Sequence, residues 1–456
     1  MFRKSSIHIA VLFGLTGLTS AVHADIAYTI TEIKVPDSSL TTARVLNNNG
    51  LIVGYYSVDG LQHAFASQNG IFSEPATLGG NFATPRAVNN SGTIAGESAL
   101  ADNQTYHAFV SRAGQAVDLG TLGGQNSFAY SINASGQVVG RSDLASPGSY
   151  HAFMVDANGV MSDMGTLGGN NSEAFGINDY GLAVGTSSGS WTDETGQLRT
   201  FWHAFSKQYG GMVDLGTLGG PNSEAVAVNA NGQIAGTSDT SFNQAQNQVH
   251  VFVYQYGAKS DYGNLGGLNY ARARGINNYG QVVGEGLVAD RKWHAFASQH
   301  GALVDLNGLI DPASGWTLEE ALAINDNGEI LAIGAGPSGF GSVLLKPVNT
   351  APPSVTIQPS QVSKTVTGTA VISATVCANM TGGQAPLRVK WTAVGLGALS
   401  VSDPADNCPR ISASVLAGES ARGTVTAVVT DARGRTSQAS ASITFIAKLP
   451  KGKVPL

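Results

Sequence analysis

One short phrase recurs along most of this chain: an aliphatic residue, Asn, two further residues, and Gly. Seven copies occur, and neighbouring copies lie 42 to 51 residues apart. Their asparagines are Asn47, Asn89, Asn133, Asn178, Asn229, Asn277 and Asn325. A period of this length is typical of repeat architectures, in which each repeat forms one supersecondary unit. The phrase therefore predicts an assembly of seven similar units.

Each repeat contains four strand-like runs separated by turn residues. Asn and Gly of the phrase tolerate the positive φ of tight hairpin turns, and strand-like runs such as 127–132 and 137–140 flank them. A third run contains His-Ala-Phe or a close variant, and a fourth ends in Leu-Gly-Gly, as in 118–124. Four short strands with a turn between each form a propeller blade. We predict a seven-bladed β-propeller with strands A to D in each blade, from the axis outward.

The two ends of the repeat region predict how the ring closes. The seventh repeat has three strand-like runs and then reaches Pro347 without a fourth. A spare strand-like run stands at 27–35, ahead of the first A strand. We predict that this run joins the seventh blade, because closure removes the open edges that invite aggregation.

Leu-Gly-Thr-Leu-Gly-Gly, Ile-Asn-x-x-Gly and His-Ala-Phe follow one another, with variations, over roughly residues 38 to 346. This combination resembles the extracellular HAF-repeat proteins of bacteria. The first and last copies depart from it: the first Leu-Gly-Gly follows Pro75-Ala-Thr, and the seventh copy lacks His-Ala-Phe. The resemblance implies a propeller-type repeat architecture and an extracellular location, and it brings no catalytic residues.

The first 24 residues are predicted to be a signal peptide. Arg3 and Lys4 precede an apolar stretch, and Ala24 ends a small-residue cleavage motif. The apolar stretch is too short to span a membrane, and no other stretch is long enough. We therefore expect a mature chain that begins at Asp25, is secreted or periplasmic, and has no transmembrane segment.

The charge pattern narrows the class of partner. Charged residues make up 12% of the chain, and the formal net charge of −6 is spread without acidic or basic blocks. A nucleic-acid partner requires a clustered Lys/Arg surface, so we expect none. The low charge, 42% apolar residues and 58 glycines suit an ordered, turn-rich β protein. We expect it to be a monomer.

Composition divides the mature chain into two parts. The predicted propeller occupies 25–347, and a linker at 348–353 leads to a segment rich in Ser, Thr, Val and Ala. About seven short strand-like runs in 354–447 predict a small immunoglobulin-like β-sandwich. We expect the tail, 448–456, to be disordered. The predicted fold is thus all-β, a seven-bladed propeller followed by a sandwich.

The two cysteines of the chain lie in the predicted sandwich. Cys377 and Trp391 look like the strand B Cys and the strand C Trp of immunoglobulin-like folds. Cys408 stands well before the penultimate strand-like run, which argues against the usual inter-sheet bridge of that fold. We still expect a Cys377–Cys408 disulfide, because an exported chain with two cysteines usually oxidises them.

One histidine stands at the same strand position in each of six repeats, which suggests a metal site. A metal needs its ligands around one centre, whereas these residues should be separated around the ring. We therefore predict that each imidazole is bonded within its own blade, with no metal site and no cofactor. No nucleophile elbow, phosphate loop or His-Glu-x-x-His motif occurs. The histidines are His63, His107, His151, His203, His250 and His294.

Length variation is concentrated in one connection of each blade, the B–C loop. From the Gly that ends strand B to the His phrase, the spacing ranges from 9 residues in blade 1 to 18 in blade 4. B–C and D–A loops share one face, and binding residues concentrate on loops of a rigid scaffold, so we predict ligand binding there. The alternative is an ordinary solvated loop with a Trp packed on the rim. The candidates are Trp191, Asp193, Glu194, Arg199 and Trp202 in blade 4, and Arg291 and Trp293 in blade 6.

A second candidate set stands five residues before each repeat Asn and should circle the channel mouth on the same face. Its charged members could bind a cation or a polar ligand. The alternative is that they pair with Arg44, Arg86 and Arg274. The set comprises Thr42, Thr84, Phe128, Glu173, Glu224, Arg272 and Glu320.

Two functions fit these patterns. The first is an exported, non-catalytic binding or adhesive scaffold that holds an unknown glycan or protein ligand on the B–C/D–A face. The second is a secreted polysaccharide lyase or glycoside hydrolase that uses carboxylates at the channel mouth. The absence of any catalytic motif in the sequence favours the first.

Overall fold

The computed structural model describes residues 28–450, except 193, 244–246, 268, 300, 349–352, 384–386, 397–398, 403–404, 406 and 432–434. The predicted signal peptide and residues 451–456 of the predicted disordered tail lie outside this part. Its secondary structure is β, apart from two short 3₁₀ helices at Leu306–Leu309 and Pro312–Ser314. None of its helices is long and apolar enough to cross a membrane.

Seven four-stranded antiparallel sheets form the blades of a β-propeller. The A strands lie nearest the axis, and the Asn-x-x-Gly turn joins each of them to strand B. The A strands are β2 (Leu40–Leu46), β6 (Ala83–Val88), β10 (Gly123–Ile132), β14 (Ser172–Ile177), β18 (Ser223–Val228), β22 (Ala271–Ile276) and β26 (Thr317–Ile324). The B strands are β3 (Leu51–Val58), β7 (Ile94–Ala99), β11 (Val138–Leu144), β15 (Ala183–Thr192), β19 (Ile234–Asp239), β23 (Val282–Leu287) and β27 (Ile330–Gly336).

Strands C and D complete each blade toward the outside. The C strands are β4 (Leu61–Gln68), β8 (Tyr106–Arg112), β12 (Tyr150–Val155), β16 (Leu198–Lys207), β20 (Val249–Gln255), β24 (Trp293–Gln299) and β28 (Gly339–Pro347). The D strands of the first six blades are β5 (Ile71–Ser73), β9 (Gln115–Asp118), β13 (Met161–Asp163), β17 (Val213–Gly216), β21 (Ala258–Gly263) and β25 (Ala302–Asp305).

The N-terminal strand closes the ring, as predicted. Strand β1 (Tyr28–Ile33) pairs antiparallel with β28, so that the last blade has the order β1-β28-β27-β26. The register places Tyr28 opposite Pro347 and Ile33 opposite Ser342. Tyr28 and Ile33 are buried in the clusters on either side of the last blade. The ring is therefore closed both by backbone pairing of β1 with β28 and by burial of the Tyr28 and Ile33 side chains.

The Phe of the His-Ala-Phe phrase, or of its variant His-Val-Phe in blade 5, packs between neighbouring blades beside a strand B glycine. In blade 5, Phe252 is fully buried and lies opposite Gly236. A Cβ on Gly236 would come within 2.4 Å of the Phe252 ring and 2.3 Å of the Glu224 carbonyl oxygen. Only glycine fits this close approach, because a larger residue at position 236 would displace the aromatic ring of Phe252 from the core. The corresponding buried rings are Phe65, Phe109, Phe153, Phe205 and Phe296.

The repeated asparagines form a closed belt of hydrogen bonds around the axis. Each Nδ2 donates to the backbone oxygen of the Asn in the next blade, at 2.9 to 3.2 Å. The last of these bonds joins Asn325 to Asn47 across 278 residues of sequence. Within its own turn, Asn47 Oδ1 accepts from the N–H groups of Asn49 and Leu51. The same amide thus shapes a turn and connects two blades.

A small β-sandwich follows the propeller. One sheet has the order β30-β37-β36-β33, a second β31-β35-β34, and a two-stranded sheet pairs β29 with β32. Its buried core contains Trp391 and Phe445. The strands are β29 (Ser354–Gln358), β30 (Gln361–Thr367), β31 (Ala370–Thr375), β32 (Cys377–Thr381), β33 (Arg388–Leu396), β34 (Ser400–Val401), β35 (Arg410–Val415), β36 (Ser420–Thr430) and β37 (Thr436–Lys448).

The predicted disulfide joins Cys377 to Cys408. Cys377 begins β32, one strand later than the sequence pattern suggested, and Cys408 lies just before β35. The bond therefore joins the start of a strand in the two-stranded sheet to the segment just before β35. This placement agrees with the early position of Cys408 in the sequence.

The sandwich contacts the propeller at the A–B turn of blade 6. Arg388 Nη2 donates to the backbone oxygen of Asn278 at 3.3 Å, and its guanidinium lies 5.5 Å from the centre of the Tyr279 ring. A–B turns lie on the face opposite the B–C loops. This contact therefore lies on the face opposite the predicted binding face.

Candidate functional site

Every A strand has a β-bulge three residues before its repeat Asn. The bulged residue has no partner on strand B, and a bulge of this kind redirects its side chain. In all seven blades that residue lines the axial channel. The seven residues are Arg44, Arg86, Tyr130, Phe175, Val226, Arg274 and Leu322.

The channel opens into a cavity of about 460 Å³, which the seven bulged residues line together with Glu224 and Glu320. Two of the four charged candidates at the channel mouth thus face this cavity. Glu173 and Arg272 belong to neighbouring clusters instead. The sequence pattern predicts Arg44, Arg86 and Arg274 only as partners of the acids, whereas in the structure all three line the cavity. The sequence signal for this role is that each of them stands three residues before a repeat Asn.

Most charges of the cavity are paired. Arg86 Nε lies 2.5 Å from an oxygen of Glu97, which is only 3% exposed. Arg274 contacts Glu285 at 2.9 Å and Glu320 at 2.6 Å. Burial raises the pKa of Glu320 against the opposing charge of Arg274. The predicted pairing of ring acids with arginines is therefore correct for Glu320.

Glu173 pairs with a different arginine. Its carboxylate lies 3.2 Å from Arg141 of strand β11 in the preceding blade. The Arg141 guanidinium lies 4.9 Å from the centre of the Phe128 ring and 4.8 Å from that of Tyr150. Burial, and then the Glu173 charge, raises the pKa of Tyr150. This cluster joins blades 3 and 4 and holds Glu173 in an ion pair.

Two charged side chains of the cavity, those of Arg44 and Glu224, have neither a hydrogen bond nor an ion pair to any residue that the structure describes. The Arg44 Nε is buried without a partner, and its guanidinium lies 5.6 Å from the centre of the Tyr55 ring. Burial raises the pKa of Glu224, with Arg272 and Arg274 opposing the shift from a distance. The cavity thus contains one unpaired cation and one unpaired carboxylate.

An aromatic wall borders the same cavity. The rings of Tyr130 and Phe175 lie 5.6 Å apart at an interplanar angle of 34°. Arg86 lies 5.4 Å from the centre of the Tyr130 ring. Val226 and Leu322 add further apolar lining. The cavity therefore combines polar groups with a flat apolar surface, as ligand pockets do.

The long B–C connection of blade 4 is a two-stranded ribbon rather than the predicted loop. Strands β15 and β16 stay paired to Thr192 and Leu198, well beyond the end of their neighbour β14. Trp191 lies opposite Arg199 on this ribbon and is 45% exposed. Alternating Ser, Thr and aromatic residues favour this continued pairing.

The other blade 4 candidates divide between the tip and the base of the ribbon. Glu194 is exposed in the turn, and Asp193 lies outside the described residues. Trp202 lies at the base, half-buried, and its backbone N–H donates to Asn222 Oδ1 at 3.2 Å. Trp202 thus corresponds to the alternative of a Trp packed on the rim, while Trp191 remains accessible.

In blade 6 the structure brings Arg272 and Trp293 together through Tyr270. Trp293 lies edge-on to Tyr270 with ring centres 5.6 Å apart, and the Arg272 guanidinium is 4.9 Å from the Tyr270 ring centre. Arg291 is exposed in the B–C turn with φ of 67°. Arg272, Tyr270 and Trp293 thus form a separate cluster, and no contact joins Arg291 to it among the described residues.

Five of the six repeated histidines contact an Asp of strand D in their own blade. The distances from Nδ1 to the nearer carboxylate oxygen are 2.6 to 2.9 Å. His63 instead stacks on Tyr56, with ring centres 5.3 Å apart. Each imidazole thus has its contact within its own blade. Among the described residues, no group of three His, Cys, Asp or Glu side chains could hold a metal ion.

The fold places the chain among the β-propeller proteins. No protein-family model and no curated protein matches it. It is similar to the β-propeller domain of the Trilobed protease from Pyrococcus furiosus, at 10% identity over 68% of this chain and 93% of that one, with a TM-score of 0.49. The similarity to a gluconolactonase from Xanthomonas campestris has 10% identity over 72% and 93% of the two chains and a TM-score of 0.33.

The extracellular domain of a hybrid two component system from B. thetaiotaomicron is also similar, at 10% identity over 93% of this chain and 58% of that one, with a TM-score of 0.39. Similarities this low carry no argument about ligand or activity. The propeller assignment therefore depends on the seven sheets and their closure, and the HAF-repeat membership stays a prediction.

Proposed function

We propose that this protein is an exported, non-catalytic scaffold that binds a glycan or protein ligand on the B–C/D–A face. The main support is the axial cavity. Asn, Gly and Phe recur from blade to blade because they build the scaffold, whereas the bulged position changes among Arg, Tyr, Phe, Val and Leu. This variety brings charged, aromatic and aliphatic side chains together in one cavity, which is the combination that ligand sites use.

The blade 4 ribbon offers a second contact on the same face. Trp191 and Leu198 are exposed near its tip, with Arg199 opposite Trp191. An exposed aromatic beside charged groups is typical of a recognition surface. Secretion agrees with the Cys377–Cys408 disulfide, because disulfides persist in oxidising compartments.

Binding is favoured over sugar cleavage by the state of the carboxylates. Glycoside hydrolysis generally uses two carboxyl groups that flank the scissile bond, one of them as acid. Glu173 and Glu320 are each held in an ion pair with an arginine. Of the three ring acids only Glu224 is unpaired among the described residues, so the second carboxylate that the enzyme alternative requires is already engaged.

The ribbon allows a direct test of the binding face. The mature chain would first be screened against glycan and protein arrays. The affinity for any ligand found would then be measured with a variant in which residues 190–200 are replaced by Asn-Gly. This two-residue turn suits the hairpin, and loop length costs little stability. We expect an unchanged fold and binding weakened by about tenfold, a loss of about 1.4 kcal/mol.

The matched control is Tyr180→Ala, at an exposed position of the A–B turn in the same blade. It should keep full affinity, because this turn lies on the opposite face. If the ribbon variant binds as well as the parent protein and Tyr180→Ala loses affinity, the ligand binds on the A–B face and the proposed B–C/D–A face is wrong. Turnover of the hit, lost in Glu224→Gln, would instead establish the enzyme alternative.

A further inference from the structure

We infer that the axial cavity binds a small zwitterion of the short-peptide class, with the ligand carboxylate at Arg44 and the ligand ammonium at Glu224. The inference deepens the proposed function, on which it rests, by naming the chemistry of the group that enters the channel mouth.

The charges of the cavity support a ligand with two opposite charges. Arg86 is bonded to Glu97, and Arg274 is bonded to both Glu285 and Glu320. Among the described residues, Arg44 and Glu224 have no such partner. Glu320, which is bonded to Arg274, acts on Arg44 only through space, and Arg272 and Arg274 act on Glu224 in the same way.

Desolvation makes both unpaired groups costly. The Arg44 Nε is buried, and Glu224 is half-buried at the wall of the cavity. A buried charge without a partner destabilises the protein unless a counter-ion is supplied. A ligand with only a carboxylate would leave Glu224 unmatched, and one with only an ammonium would leave Arg44 unmatched. A zwitterion satisfies both, and Arg binds carboxylates through two parallel hydrogen bonds.

The positions of the two residues indicate an extended ligand. Arg44 belongs to blade 1 and Glu224 to blade 5, so they face the channel from well-separated blades of a seven-membered ring. A dipeptide or tripeptide separates its termini further than a single amino acid does. Tyr130 and Phe175, in blades 3 and 4, border the space between them and offer an apolar surface to the peptide.

The test uses one dipeptide and its two blocked forms. L-alanyl-L-alanine carries both charges, its N-acetyl derivative only the carboxylate, and its amide only the ammonium. Calorimetric titration of the mature chain should show the zwitterion binding about tenfold more tightly than either blocked form, or about 1.4 kcal/mol. Equal binding of a blocked form and the zwitterion would overturn the inference.

Variants then assign each charge to its residue. Glu224→Gln keeps the shape and should weaken the zwitterion and the amide but not the acetyl form. Arg44→Met should weaken the zwitterion and the acetyl form but not the amide, and Arg44→Lys should restore part of the affinity. Arg112→Met and Glu419→Gln remove exposed charges outside the cavity and should change nothing. If Glu224→Gln and Arg44→Met affect all three probes equally, the assignment is wrong.

The zwitterion inference and the proposed binding face can fail independently of each other. Glucuronic acid is a further probe. If it binds through Arg44 and its affinity is unaffected by Glu224→Gln, the zwitterion inference is overturned, but binding of a glycan on the same face is supported. Absence of binding by every small probe would also overturn the zwitterion. In that case the array hit and its dependence on the blade 4 ribbon still decide whether the face binds a ligand.

Discussion

At the scale of single residues, the repeated Asn uses both ends of its side-chain amide. Asn178 Oδ1 accepts from the N–H groups of Tyr180 and Leu182, and its Nδ2 donates to the carbonyl of Asn229 in the next blade. The turn role could be predicted from sequence, because Asn suits tight turns wherever they occur. The link between blades was missed, since it joins residues 51 positions apart.

Replacing Asn178 by Ala removes all three hydrogen bonds at a buried site. We expect the free energy of unfolding of the propeller to fall by about 2–3 kcal/mol, at about 1 kcal/mol per bond. Asn178→Asp keeps the turn acceptor but loses the donor to Asn229, so it should also destabilise. Denaturant titration followed by Trp fluorescence would measure both.

Asn158→Ala is the matched control, because Asn158 is exposed in the C–D turn of blade 3 and makes only local hydrogen bonds. It should change stability by no more than about 0.5 kcal/mol. A loss as large as that of Asn178→Ala would show that the belt has no special contribution.

At the scale of elements, strand β1 determines whether the propeller has an open edge. It covers β28 along six paired residues from Tyr28 to Ile33. Deleting residues 25–35 should expose the edge of β28 and the apolar clusters that Tyr28 and Ile33 fill. We expect a lower melting temperature and aggregation, because an unpaired edge strand recruits other chains.

Size-exclusion chromatography and thermal melting would measure this effect. A deletion of residues 25–27 alone keeps the whole of β1 and serves as the control. If the longer deletion leaves a monomer with the melting temperature of the control, β1 is dispensable and closure depends on the asparagine belt.

At the scale of the whole molecule, the disulfide and the interactions that close the propeller ring lie in different parts of the chain. The disulfide joins residues 31 positions apart within the sandwich, whereas the propeller closes through β1 and the asparagine belt. We therefore expect the two parts to respond separately to loss of the disulfide.

A Cys377→Ser/Cys408→Ser variant should lose about 3–4 kcal/mol of sandwich stability in the chain-entropy model. Scanning calorimetry should show one transition lowered while that of the propeller stays in place. The control is the parent protein in reducing buffer, which should behave like the variant. A matching fall of the propeller transition would show that the two parts unfold as one unit.

The sequence by itself determined the repeat number, the four strands per blade, the closure by a spare strand and the disulfide. These follow from local information: turn residues, alternation of apolar residues, and a blade left one strand short. The number of blades needed no knowledge of contacts, because the same phrase recurs seven times.

The tertiary structure alone decided which side chains meet at the axis. The bulges redirect one residue per blade into the channel, and bulges arise from pairing between strands rather than from one strand alone. The pairing of Glu173 with Arg141 joins two neighbouring blades, and Arg44 and Glu224 line one cavity from blades 1 and 5. Charges distant in sequence acquire partners only when the ring closes, and this is why the candidate site could be predicted only in part.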